Sequence, residues 1–319
     1  RAMQRIKETL THWLQSGQVD RVLGWKEGDM PGLREPAFFE KAEELKSLCY
    51  DAFCGPNLSK FLIAAGEKDG VTAVLLKPCD SYSLNELIRE NRVQRDRVKI
   101  LAVPCEGNID PRVFENRGVL SVNIEGDQLH LTTLYGEENE PLAQCLLERC
   151  TVCRGGRHAV YDELLCPEAE ETPQKGDRFQ GVRELEGKSE EERYAFWQET
   201  FSRCIRCNAC RNACPACNCR ECVFDGAALD SRQKAAAVPF EESLFHIVRA
   251  YHVTGRCTDC GECSRVCPSH IPLHLLNRKM ILDINTLYGP YQAGDSNTGR
   301  SPLTDYTPDD CEPNEGKGA

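Results

Sequence analysis

The chain has 319 residues, including 20 cysteines, with a formal net charge of −11 and a hydrophobic fraction of 40%. This length predicts about two domains, and the negative charge argues against nucleic acid as a partner. A secreted disulfide scaffold would be shorter and would follow a signal peptide. No apolar run reaches the roughly 18 residues that span a bilayer. We therefore expect a cytoplasmic protein without a membrane span.

Residues 1–166 have the pattern of an α/β domain with a parallel sheet. Apolar residues at helical spacing predict helices over Ile6 to Leu14, Pro36 to Leu48 and Leu58 to Ala65. Val71 to Leu76 and Val98 to Val103 have the composition of buried strands, with a helix between them from Ser83 to Val93, capped by Ser81 or Ser83. A strand–helix–strand unit this short implies parallel strands.

The rest of this domain predicts a hairpin and then a helix. Val119 to Ile124 and Gln128 to Leu134 flank the turn residues Glu125-Gly126-Asp127. Pro141 to Arg149 should be helical and should deliver Cys150 and Cys153. Residues 167–189 are poor in apolar side chains and predict a linker.

Residues 190–287 predict a mainly helical second domain. Helices are expected over Glu191 to Phe201 and Glu241 to Val253. Residues 288–319 are polar and rich in Gly, Pro and Asp, which predicts an extended arm or disorder.

Two copies of one cysteine run lie in this second domain. Each has the spacing C-x2-C-x2-C-x3-C followed by proline, which is the bacterial ferredoxin pattern for two 4Fe–4S clusters. In that pattern three thiolates of each run bind one cluster, and the fourth crosses to the other. The first group of ligands is then Cys204, Cys207, Cys210 and Cys267, and the second group is Cys257, Cys260, Cys263 and Cys214.

Four further cysteines predict a third 4Fe–4S site. Cys79 and Cys105 each follow a predicted parallel strand, and such strand ends lie side by side at the ligand-binding edge of a sheet. Cys150 and Cys153 form a C-x2-C pair. We call these four residues the third group, for which Cys54 and Cys166 are substitute ligands. The alternative is two structural cysteines and a redox or zinc-binding pair.

The remaining cysteines and the histidines predict less. Cys217, Cys219 and Cys222 could shield a cluster, ligate a further site or bind a structural metal. Cys49, Cys145 and Cys311 are expected to be ordinary thiols. His246 and His252 are six residues apart on a predicted helix and so do not share one face; packing or surface roles are expected. A surface position is the default for His158, although it could tune a nearby cluster. The chain has no Rossmann or P-loop motif.

Two families resemble this chain once these motifs are considered. From about Glu190 to Leu287, the segments RCIRCNACRNACPACNCRECVFD and HIVRAYHVTGRCTDCGECSRVCP resemble the helical dicluster ferredoxin domains of heterodisulfide reductase C subunits. The first domain is similar to the beta subunits of deazaflavin-dependent hydrogenases and dehydrogenases, in which a turn like Val103-Pro104-Cys105 and a later C-x2-C recur. That resemblance implies that a flavin, FAD or FMN, can be bound, although no residue can be assigned to it.

We therefore expect a non-catalytic subunit that relays single electrons between subunits of an anaerobic redox complex. The resemblances imply partners of the heterodisulfide reductase, hydrogenase or formate dehydrogenase kind. The alternative is an iron–sulfur flavoprotein that reduces a soluble hydride carrier. A zinc protein is the third option, which the twin runs disfavour.

Overall fold

A computed structural model describes residues 2–154, 156–165, 176–225 and 239–304 of the chain. Its main sheet has six strands: β1 Arg21–Glu27, β2 Arg34–Phe39, β3 Leu48–Cys49, β4 Thr72–Leu76, β5 Val98–Ala102 and β9 Glu163–Leu164. The strand order is β2-β1-β4-β5-β9, and β3 also pairs with β1. Strands β1, β4, β5 and β9 are parallel, whereas β2 and β3 run antiparallel to β1. The predicted parallel sheet is confirmed.

One apolar core joins this sheet to its helices. All five residues of β4 are buried, as a strand covered on both faces requires. Helix α1, Ala2–Gln15, contributes Ile6, Leu10 and Trp13, which are three or four residues apart and so lie on one face. The rigid core fixes the carboxyl ends of β4 and β5, where the third group begins.

The helix predicted from Pro36 to Leu48 is wrong. Residues 34–39 instead form the edge strand β2, in which Pro36 pairs with Trp25 of β1. An edge strand tolerates proline because the missing N–H can face away from the sheet. Only a short 3-10 helix, Ala42–Ser47, follows. Backbone pairing with β1 therefore overrides the helical apolar spacing.

Helix α3 begins earlier than predicted and ends earlier. It spans Pro78–Arg89, with proline at the position where a missing N–H costs nothing. Neither predicted capping serine caps it: Ser81 Oγ accepts from Ala159 N at 2.8 Å, and Ser83 Oγ is 2.9 Å from Thr258 Oγ1. The two hydroxyls thus fasten distant segments to α3, and Cys79 lies in the first turn of the helix. Helix α2 is shorter than predicted and spans Phe61–Ala65.

The predicted hairpin is confirmed and extends to a third strand. Strands β6, β7 and β8 span Val119–Glu125, Gln128–Thr133 and Gly136–Pro141. The helix predicted from Pro141 to Arg149 is wrong: a short 3-10 turn, Leu142–Gln144, precedes a separate helix α4, Glu148–Thr151. Between them the backbone bonds to a distant segment, with Leu147 N donating to Asn108 O at 2.8 Å.

The C-terminal part is helical, as predicted. Its helices are α5 Gln180–Glu186, α6 Glu190–Ser202, α7 Ala209–Ala213, α8 Pro239–Val253, α9 Glu262–Arg265 and α10 Leu273–Tyr288. A capping box begins α6: Ser189 Oγ accepts from Glu192 N at 3.2 Å, and Glu192 Oε2 accepts from Ser189 N at 2.9 Å. These helices frame the two cysteine runs.

Two segments pack more closely than their composition suggests. Helix α5 lies inside the predicted linker, and its Glu186 pairs with Lys279 of α10 at 2.5 Å. Beyond α10, Gly294 O accepts from Asn85 Nδ2 of α3 at 2.9 Å. This extended segment therefore reaches back to the N-terminal domain. No helix among the described residues is long and apolar enough to cross a membrane.

Candidate iron–sulfur sites

The two cysteine runs share one backbone conformation. Arg206 and Asp259, each just before the second cysteine of a run, have φ of 55° and 59°. Asn208 and Gly261, each just after that cysteine, have φ of 61° and 66°. Helices α7 and α9 then begin at equivalent positions. Left-handed residues turn backbone N–H groups toward a common concavity, so the sequence repeat is also a structural repeat.

The first group surrounds one small cavity. Its four cysteines line this cavity together with apolar side chains, Ile205, Pro268, Ile271 and Leu273 among them. Three of the cysteines come from the first run, and Cys267 comes from the second. The structure therefore brings together the four cysteines that the crossed ferredoxin pattern selects. Their role as ligands remains a prediction.

The second group is connected through Cys214. Burial raises the pKa of the Cys257, Cys260 and Cys263 thiols, and the charge of Cys214 raises each of them further. Cys214 and Cys257 also pack in one apolar cluster, and the positive charge of bound iron would offset the repulsion between the thiolates. The donor set thus fits a cluster.

A 4Fe–4S cluster and a single metal ion need different spacings of their ligands. Within the described ranges, no three His, Cys, Asp or Glu side chains are arranged to hold a single metal ion. In a cubane each thiolate binds a different iron, so a wider arrangement is expected there.

Several N–H groups point at the sulfurs of the first two groups. Arg206 N donates to Cys204 Sγ and Ile271 N donates to Cys267 Sγ, both at 3.4 Å. Asn277 Nδ2 donates to Cys263 Sγ at 3.5 Å. Hydrogen bonds to ligand sulfurs are among the features that set cluster potentials.

Arg249 of α8 lies between the first and second groups. The side chain is buried, and its Nη2 donates to Cys210 O at 3.2 Å. Burial lowers its pKa, but the charges of Cys263, Cys214 and Cys210 outweigh burial, so the pKa is raised. This buried cation offsets the negative charge of both groups. Sequence reasoning did not single out this arginine.

His246 lies three residues before Arg249 on the same helix and lines the cavity of the first group. It is 1% exposed, and its ring stacks on Phe201 with centroids 4.5 Å apart. Burial and the positive charges of Arg249 and Arg206 lower its pKa to about 3, so the ring is neutral. The stacking is consistent with the packing role expected from the sequence. The sequence did not predict that His246 would line the cavity of the first group. His252 is exposed.

Three members of the third group meet at the carboxyl ends of β4 and β5. Burial raises the pKa of Cys79, with Asp80 and Cys105 adding to the increase. Burial also raises the pKa of Cys105, and the charge of Cys150 adds to it. Asn108 N donates to Cys150 Sγ at 3.3 Å. Cys153 is half-buried three residues further on, and the role of all four cysteines as cluster ligands stays a prediction.

Three further residues were considered for this site: the substitute ligands Cys54 and Cys166, and His158. Cys54 is fully buried, and its Sγ accepts from Asp51 N at 3.4 Å. Cys166 lies outside the described residues. His158 is buried rather than on the surface, with Nε2 3.1 Å from Leu76 O at the end of β4.

A buried ion pair lies beside the third group. The fully buried Lys77 pairs with Asp80 at 3.2 Å and donates to Cys54 O at 2.6 Å. Burial lowers the pKa of Lys77, but the charges of Asp80 and Cys79 raise it overall, so Lys77 stays charged. Sequence reasoning did not single out this pair.

Arg149 connects the third group to the second run. Its Nη1 donates to Glu262 Oε1 at 2.7 Å and also to Cys260 O, and its Nη2 donates to Gly55 O at 2.9 Å. Burial would lower its pKa, but the charges of Glu262, Cys79 and Cys150 outweigh burial and hold the pKa well above its usual value. One arginine therefore contacts both cysteine-bearing regions.

Cys217, Cys219 and Cys222 line a separate cavity of about 390 Å³. Lys60 lies at its wall and donates to Cys214 O at 2.9 Å and to Cys217 O at 2.6 Å. The loop that follows the first run is thus tied to the N-terminal domain. The role of the three thiols stays open.

Comparisons with known proteins bear on the region of the first two groups. Residues 200–271 match the family model of the 4Fe-4S dicluster domain, a match that supports two 4Fe–4S clusters. The chain is 25% identical to the F420-dependent formate dehydrogenase subunit beta of Methanocaldococcus jannaschii over 330 aligned residues, covering 85% of this chain and 86% of that protein. It is 24% identical to the F420-dependent formate dehydrogenase 1 subunit beta of Methanococcus maripaludis, covering 75% and 77%.

One solved structure is also similar in part. It is a xenon-derivatised F420-reducing [NiFe] hydrogenase complex from Methanosarcina barkeri, at 15% identity and a TM-score of 0.36, covering 46% of this chain and 58% of that chain. A TM-score this low supports no argument about fold. The sequence relatives confirm the resemblance stated above: the chain carries a 4Fe-4S dicluster domain and is similar over most of its length to beta subunits of F420-dependent formate dehydrogenases.

Proposed function

We propose that this chain is an electron-transfer subunit of an anaerobic oxidoreductase complex of the formate dehydrogenase or hydrogenase kind. The observation that carries the proposal is the crossed arrangement of the cysteine runs, in which Cys267 joins the first group and Cys214 joins the second. The dicluster family match over residues 200–271 supports it. The relatives are named as subunits of a formate-oxidising enzyme, so electrons would enter or leave through partner subunits. We also propose that the protein is cytoplasmic.

The chain's own residues would hold, shield and connect the clusters. When bound, a 4Fe–4S cluster takes up and releases single electrons. The first two groups would supply eight thiolates, apolar side chains line the first cavity, and Arg249 offsets charge between the groups. The proposed assignment keeps the cysteines as ligands, not as nucleophiles.

A third cluster at Cys79, Cys105, Cys150 and Cys153 would extend this path into the N-terminal domain. The support is that Cys105 adds to the raised pKa of Cys79 and Cys150 adds to that of Cys105, together with the Arg149 contacts to Glu262 and Cys260 O. These contacts make the third and second groups neighbours across the domain boundary. Electrons would then pass between the domains without leaving the chain.

The test is the content of iron and acid-labile sulfide per chain after strictly anaerobic purification. About twelve of each would support three clusters, and about eight would leave the third group as structural or redox thiols. Zinc without labile sulfide would overturn the proposal.

The second candidate function is an iron–sulfur flavoprotein that exchanges electrons with a soluble hydride carrier. It is favoured by the names of the relatives, which are F420-dependent enzymes. Such a carrier delivers electrons in pairs, whereas clusters carry one at a time, so a flavin would be needed between them. Release of FAD or FMN on denaturing the purified chain would support this function. Full cluster loading without flavin would support the relay alone.

A further inference from the structure

His246 has an unsatisfied buried ring in the cavity of the first group. The imidazole is 1% exposed and lines that cavity with Cys204, Cys207, Cys210 and Cys267. In the part of the chain that the structure describes, neither Nδ1 nor Nε2 has a hydrogen-bond partner. Buried polar atoms are nearly always paired, and each exception requires a physical reason.

Packing alone does not account for a histidine here. The ring stacks on Phe201 at 4.5 Å with an interplanar angle of 18°, and it meets Phe245 edge-on at 5.1 Å. A phenyl ring would make the same contacts without burying two polar nitrogens, each of which loses its hydration and gains no partner. An imidazole has at least one N–H donor, and four cysteine sulfurs line the cavity beside this one.

We propose that His246 donates a hydrogen bond to the 4Fe–4S cluster held by the first group and thereby favours its reduced state. The inference rests on the proposed function, because it needs the cluster to be present. A hydrogen bond to sulfur stabilises the added negative charge of reduction, and an imidazole N–H at this position can give it. His246 is thus a positioning and tuning residue for electron transfer, not a ligand.

The experiment compares two substitutions on helix α8. His246→Phe keeps the stacking ring and removes the donor, whereas His252→Phe changes an exposed histidine of the same helix that does not line the first cavity. Anaerobically purified holoprotein is titrated with dithionite and followed by electron paramagnetic resonance. The signal lost in Cys207→Ala identifies the cluster of the first group.

We expect His246→Phe to make that cluster harder to reduce, changing its ratio of reduced to oxidised form by about tenfold at fixed potential, as one hydrogen bond to a charged acceptor would. The second cluster should change less, and His252→Phe should leave both clusters at their wild-type potentials. An unchanged first cluster in a folded, fully loaded His246→Phe protein would overturn the inference.

A second measurement keeps the inference testable if His246→Phe does not fold. Wild-type protein labelled with ¹⁵N-histidine should show a nitrogen coupling to the reduced cluster of the first group by pulsed resonance methods, and His246→Gln should lose the histidine coupling. Absence of any such coupling in the loaded wild-type protein would overturn the inference. Absence of iron and labile sulfide would instead overturn the proposed function.

Discussion

The two cysteine-bearing regions of this chain are built in different ways. In the C-terminal region each run places three thiols within seven residues, and two left-handed positions around the second cysteine set the turn. In the N-terminal region Cys79, Cys105 and Cys150 come from α3, from the end of β5 and from α4. The first design depends on local backbone conformation, whereas the second depends on the whole sheet. A change to the sheet should therefore disturb the third group before it disturbs the runs.

The largest effect is expected from removing a cysteine of a run. Cys207→Ala or Cys260→Ala should lose about four irons and four sulfides per chain and should destabilise the helical domain, because cluster binding is coupled to folding. Metal analysis and anaerobic urea unfolding measure both. Cys145→Ala is the control, since this buried thiol packs in a separate apolar cluster. Equal iron loss in the control would contradict the assignment.

The next prediction tests the third group. Cys105→Ala should reduce iron from about twelve to about eight per chain and leave the resonance signals of the two run clusters in place, because its thiol belongs to the sheet edge. Iron content unchanged from the wild type would show that Cys105 binds no cluster. Loss of all iron would show that the clusters of the C-terminal region do not assemble independently of the third group.

Arg149→Met tests the connection between the regions. Removing this buried cation leaves Glu262 without one of its partners, and breaking a buried ion pair costs about 3–5 kcal/mol of unfolding free energy. Arg157→Met is the matched control, because Arg157 pairs with Asp295 at the surface with 62% of its side chain exposed. Surface pairs contribute about 0–1 kcal/mol. Similar free energies of unfolding for the two variants would contradict the inference that Arg149 joins the two regions.

The smallest effect is a pH dependence in helix α3. Burial raises the pKa of Glu86 to about 7, even though the nearby Arg89 lowers it. The pKa of Glu86 is higher in the folded than in the unfolded protein. Its contribution to the free energy of unfolding is therefore fully present below about pH 4.5 and is lost as the pH rises through about 7. The free energy of unfolding of Glu86→Gln, relative to that of wild type, should therefore increase by about 1–3 kcal/mol between pH 5 and pH 8. A constant difference over that range would contradict the shift, and cluster content should be the same in both proteins.

The sequence predicted those features that depend on short-range pattern. The buried strand β4 and the hairpin of β6 and β7 follow from composition and turn residues. The crossed cysteine grouping follows from spacing alone. The prediction of a helix from Pro36 to Leu48 failed because the backbone of residues 34–39 pairs with β1. Helical spacing does not reveal such a partner.

The residues that sequence reasoning missed act through tertiary contacts. Arg249 and His246 lie on the buried face of α8 with Phe245 and Val253, a spacing of three and four residues that was visible in the sequence. A charged residue on an apolar face was the available signal. Arg149 and Lys77 gave no such signal, because Glu262 of α9 reaches Arg149, and Cys54 O reaches Lys77, only through the tertiary fold.

The crossed arrangement of Cys214 and Cys267 has a consequence for the order of assembly. Under this arrangement the first group is incomplete until residue 267 has been synthesised, although its first three cysteines end at residue 210. The second group is complete only four residues earlier, at Cys263. Both sites would thus become competent for iron almost together on the emerging chain, after a long interval in which bare thiols must be kept reduced. A ribosome-bound chain stopped before residue 257 should therefore have no complete cluster site in this domain.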